Sequence, residues 1–140
     1  MKAQLTSLLV AMGFVLASVP ASAHHPFAGE YDHDKAVHLT GTVSKVDWAN
    51  PHAIVHMDVK DDKGEMTKWT VELGGPNALR RRGWTSKSVK AGDQVTVDGW
   101  QAKDGSHRAN ANMVKMSDGK ELNAASSYSD ATAKKTKSTH

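Results

Sequence analysis

The sequence predicts an all-β domain with one short helix, specifically an OB-like, five-stranded, partly open barrel with the helix between strands three and four. Three observations lead there. Apolar residues alternate at period two over several short stretches, the signature of strands with one buried face. A single helical segment, bracketed by Pro76 and Gly83, interrupts them after the third stretch. The first stretch is long and changes phase part way along, as a bent barrel strand does. A generic open β-sandwich is the competing architecture, and the position of the helix favours the barrel.

In "VHLTGTVSKVDW", Val37, Leu39 and Val43 share one face, after which Val46 and Trp48 take over the apolar role from the positions expected next. A phase shift beside Gly41 predicts a bulge. "HAIVHMDV" places Ala53, Val55, Met57 and Val59 on one face and His52, Ile54, His56 and Asp58 on the other. "DDKG" is a turn signal, and "MTKWTVEL" turns Trp69, Val71 and Leu73 inward. "GGPNALRRRGW" then breaks the strand pattern. Proline suits a first helical turn and glycine suits the left-handed C-terminal cap, so about two turns of helix fit between them. "GDQVTVDGW" and "SHRANANMVKM" each read as a turn followed by a strand, and "SDGKEL" as a turn with a strand extension.

The ends have a different character. Lys2, the apolar run "LLVAMGFVLA" and the small residues Ala21-Ser22-Ala23 have the layout of an export signal, so residues 1–23 are expected to be cleaved. The run is shorter than the roughly 20 residues that span a bilayer, and no later stretch predicts a membrane span. The predicted location is the periplasm of a bacterium. With no cysteine, the domain has neither a disulfide nor a lipidation site and must be held by packing. Residues 24–35 form a His-rich, acid-rich lead-in, residues 36–123 the folded body, and residues 124–140, "AASSYSDATAKKTKSTH", a tail with too little to bury to stay ordered. The net charge of +3 owes much to that tail. Export and the mixed polar outer face, with Lys68, Thr70 and Glu72 beside the histidines, argue against a nucleic-acid partner, which needs interleaved aromatics and cations.

The elements "HHPF" after the signal, "WANPH" at 48–52, the strand tryptophan Trp69, Gly83-Trp84 and "GDQVTVDG" at 92–99 resemble the recurring pattern of a bacterial family of small exported proteins known as a domain of unknown function. The resemblance runs from about Ala23 to Leu122. It implies a shared fold and no particular activity, so function has to come from the residues.

Chemistry concentrates at the signal boundary. Cleavage after Ala23 would make His24 the new N-terminus, whose α-amine and ring Nδ1 can chelate one metal, with His25 or a later histidine completing the site. Cleavage after Ala21 would instead start the chain Ser-Ala-His, which binds Cu(II) through the amine, two deprotonated amides and the imidazole. Nitrogen-rich planar sites favour Cu(II) in either geometry. His24 and His25 are therefore the primary candidate ligands for copper. His52 is the first recruit from the body, competing with a role in shaping the turn of "NPH", and His38 is the second. His52 and His56 share a strand face at about 13 Å, too far apart to chelate one ion. His33 lies in an acidic linker, and His107 and His140 are incidental.

The rival site is aromatic. Trp48, Trp84 and Trp100 fall at element ends, where a barrel mouth could stack a flat small ligand or receive another periplasmic protein. Each could equally plug the barrel. "RRR" at 80–82 fans around the helix, leaving at most one arginine to pair with Glu72 or Asp98. No nucleophile elbow, zinc-protease or phosphate-loop motif occurs, so the chain reads as a binding protein rather than an enzyme.

Overall fold

The computed structural model describes residues 27–125. The expected signal peptide, His24, His25 and the chain beyond residue 125 lie outside the described residues. A single helical turn, α1 (Phe27–Glu30), leads into β1 (Tyr31–Asp47), β2 (Ile54–Lys60) and β3 (Met66–Glu72). These are followed by α2 (Pro76–Arg81), β4 (Gln94–Ala102), β5 (Arg108–Met116) and β6 (Glu121–Asn123). Neighbouring strands run antiparallel in the order β3-β2-β1-β4-β5-β6, and β3 also pairs with β5 in parallel. That last pairing, Thr70 to Glu72 against Arg108 to Asn110, curls the sheet into a partly closed ring. The fold is thus mostly β with a short helix between the third and fourth strands. The strand count is six, not five. β6 is three residues long and pairs only with Met113 to Lys115, too short for any periodicity to reveal. Among the described residues, no helix is long and apolar enough to cross a membrane.

The ring encloses one core. Ala53, Val55, Met57 and Val59 are buried from β2 and the turn before it, and Trp69, Val71 and Leu73 from β3 and its end. Val95, Val97, Ala109 and Val114 close the other side. The phase change in the first strand is a bulge. Pairing between β1 and β2 slips between Val43 and Lys45, so Val46 turns toward the core where Lys45 would otherwise point. Gly41 sits just before it because a Cβ there would lie 2.2 Å from the carbonyl oxygen of Asp58.

Pro76 opens α2 at its first turn, and Gly83 closes it at φ 92°. Gly83 N–H donates to Arg80 O and Trp84 N–H to Leu79 O, the paired bonds of a Schellman cap. This cap returns the chain inward, and both Leu79 and Trp84 enter the core.

Two boundaries differ from expectation. β1 begins at Tyr31, inside the stretch read as lead-in. Tyr31 pairs with Ala102, Ala36 pairs with Trp100, and the four polar residues between them bulge outward. The bulge hides the strand period, yet Tyr31 is only 2% exposed. At the other end, Ala124 and Ala125 are fully buried rather than part of a loose tail. Ala124 N–H donates to Asn112 O, and its carbonyl accepts from Gly74 N–H. Small side chains with little to bury can still be covered when their backbone is held in a ladder.

Candidate functional site

The outer face of β3, β4 and β5 carries a polar cluster built around Tyr31. Cross-strand register puts Trp100, Asn110, Glu72 and Ile54 in one row, and residues opposite one another in a sheet share a face. Tyr31 packs against Ala102 and Trp100. Its hydroxyl donates to Glu72 Oε2 at 2.7 Å. The Arg108 guanidinium lies 6.0 Å from the Tyr31 ring centroid, within cation–π range, and 4.0 Å from Glu30. Asn110 is buried in the same row, and its Oδ1 finds no hydrogen-bond partner among the described residues.

Burial, followed by the hydrogen bond to Glu72 and the charge of that carboxylate, pushes the Tyr31 phenol well above its ordinary value of 10.0. The neutral phenol is therefore the folded form. Its contribution to stability is complete below the unfolded value near 10 and fades as pH rises toward the folded one. The expected result is an alkaline loss of stability beginning near pH 10 that Tyr31→Phe, already less stable at neutral pH, shows less steeply. Urea midpoints of both proteins across the alkaline range check it.

His52 stands at the edge of this cluster. It precedes β2, and its Nδ1 lies 3.0 Å from the carbonyl oxygen of Leu73 and 3.5 Å from Glu72 Oε1. A carbonyl can only accept, so Nδ1 is the donor of this bond. A ring N–H donated to a backbone carbonyl is the second-shell contact that metal-ligating histidines commonly make. The side chain is 38% exposed.

The remaining histidines are arranged differently. His38 Nδ1 meets Asp98 Oδ1 at 2.5 Å, across β1 and β4, on an exposed surface. His56 Nε2 meets Asp47 Oδ2 at 2.9 Å. Lys45, and then His56, hold the Asp47 carboxyl below the ordinary carboxylate value. His38 and His52 are not brought together. β1 pairs with β2 from Gly41–Val59 to Asp47–Ile54, so His38 lies past one end of that ladder and His52 past the other. The separation along the strands is on the order of 30 Å. The two recruits therefore belong to separate places. Among the described residues, no group of three or more histidine and acidic side chains is placed to hold a metal.

The three tryptophans also fail to share a mouth. Trp84 is 3% exposed and donates its indole N–H to Asn123 O at 2.8 Å, which makes it a core residue. Trp48 packs on the same core, half-buried, with Arg80 5.9 Å from its ring centroid. Trp100 belongs to the separate Tyr31 cluster, with the His33 ring 5.3 Å away. The tie between Tyr31 and Glu72 was missed from the sequence. Its only trace is an aromatic placed just ahead of a polar run.

None of the curated proteins compared matches the chain. A family profile does, over residues 12–111, from the apolar run near the N-terminus to the middle of β5. The chain therefore belongs to the family of unknown function DUF6152.

Proposed function

We propose that this is an exported, non-enzymatic copper-binding protein. It would hold Cu(II) at its processed N-terminus through His24 and His25, with His52 supplied by the folded body, for storage, delivery or buffering. The observation that carries this reading is the placement of His52, whose Nδ1 donates to Leu73 O and whose side chain is partly exposed. It stands one carboxylate away from Tyr31, the residue where the histidine-bearing segment joins the sheet.

Copper follows from the donors. Imidazole nitrogens suit several metals, but an α-amine beside them favours Cu(II), which also heads the divalent affinity order. The test is a Cu(II) titration of the untagged processed protein against a competing chelator. One tight equivalent is expected in the parent, and a large loss of affinity in a variant with His24→Ala and His25→Ala together. Equal affinity in the two proteins would remove the N-terminal histidines from the site.

A further inference from the structure

Basic and acidic side chains are equal in number over residues 27–125, but they are not evenly spread. Residues 73–92 run from the end of β3 through α2 to the loop before β4. They hold Arg80, Arg81, Arg82, Lys87 and Lys90 and no acidic residue. The rest of the described body is left with an acidic excess. Leu79, Trp84 and Val89 are all buried in the core and fix this stretch to the barrel. The cations lie between or just after these anchors, so they project from a fixed base. Arg80, Arg81 and Lys87 are exposed.

Their neighbours differ. Arg82 donates to Ala125 O, and Lys90 pairs with Asp93 at 3.2 Å. Arg80 donates to Asn77 Oδ1 and lies over the half-buried Trp48 ring. Among the described residues, no carboxylate stands within ion-pair distance of Arg80, Arg81 or Lys87. A helix C-terminus attracts cations, which accounts for the first two. It does not account for Lys87 in the following loop, or for a stretch this long without one acid.

We infer that the exposed side of α2 and the loop after it form a docking surface for an anionic lipid bilayer, with Arg80, Arg81 and Lys87 meeting headgroup phosphates. Charge complementarity carries the choice. The bilayer offers these cations the anions that the chain does not, while the acidic remainder of the body is repelled and the protein is oriented. The export proposed for this chain would bring the surface beside such a membrane. A second copy fits less well, because the other acids are interleaved with lysines and form no block of comparable charge. The inference does not depend on copper.

Co-sedimentation of the untagged protein with vesicles tests it. Binding to phosphatidylcholine–phosphatidylglycerol mixtures is expected, falling as salt rises, with none to phosphatidylcholine alone. Arg81→Gln with Lys87→Gln removes two exposed charges and is expected to weaken binding about 25-fold, roughly fivefold per cation. Lys60→Gln with Lys63→Gln removes the same charge from the β2–β3 hairpin, at the other end of β3 from α2, and is expected to bind as the parent does. Equal losses in the two double variants would reduce the effect to net charge and overturn the docking surface. Undiminished binding after Arg81→Gln with Lys87→Gln would overturn it too, by placing the attraction elsewhere on the chain. So would a parent that sediments with neither vesicle. A parent that self-associates without lipid, through a contact that the Arg81 and Lys87 changes abolish, would give the face to a second copy and sink the lipid reading.

Discussion

Gly99→Ala is expected to be the most damaging single-methyl change in the domain. A Cβ at this position would lie 2.0 Å from the carbonyl oxygen of Asn110 and 3.1 Å from Cα of Ala111. Both obstacles are backbone, held in the β4–β5 ladder, so neither can swing aside as a side chain would. β4 slips register against β5 between Asp98 and Gly99, and the two strands approach closely where the slip occurs. Relief would require opening the ladder beside Trp100 and Asn110, at a cost on the order of 3–5 kcal/mol. That is a large share of the stability of a domain this size, which is about 5–15 kcal/mol. Urea denaturation is the check. A midpoint within the scatter of the parent would mean that the strands are farther apart than described.

The second large effect concerns the chain end. Adding one residue ahead of the proposed processed N-terminus is expected to weaken Cu(II) binding at least about a hundredfold, beyond what loss of a merely supporting contact costs. The reason is the same for either cleavage position. If the chain starts at His24, the extension moves the α-amine off the residue whose imidazole completes the chelate. If it starts at Ser22, the extension moves His24 from the third position to the fourth. Every side chain is retained in both cases, so the loss isolates the amine. Unchanged affinity in a competition titration would confine any copper binding to imidazoles.

Much of this architecture was legible along the chain. The alternation in "HAIVHMDV" and "MTKWTVEL" reports which residues point inward because each strand has one buried face. Pro76 and Gly83 mark the helix because each suits only one end of it. The bulge after Gly41 was visible because a single slip exchanges the inward and outward sets. What could not be read depends on partners distant in sequence. Tyr31 belongs to the sheet through Ala102, and Glu72 is engaged through Tyr31. Neither pairing leaves a local pattern, and the polar bulge after Tyr31 disguises the strand. Trp84 looked like a mouth residue because it follows a helix, but the Schellman cap turns it inward. The separation of His38 from His52 required the β1–β2 register. The donor role of His52 Nδ1 required knowing that its neighbour is the carbonyl of Leu73.

The most direct test of the central claim is native mass spectrometry of the protein, purified gently and without a tag from the cells that make it. A chain starting at His24 or Ser22 with one copper ion bound is the predicted result, and the starting residue would decide between the two chelate geometries. A metal-free chain that also takes up no added copper would contradict the account.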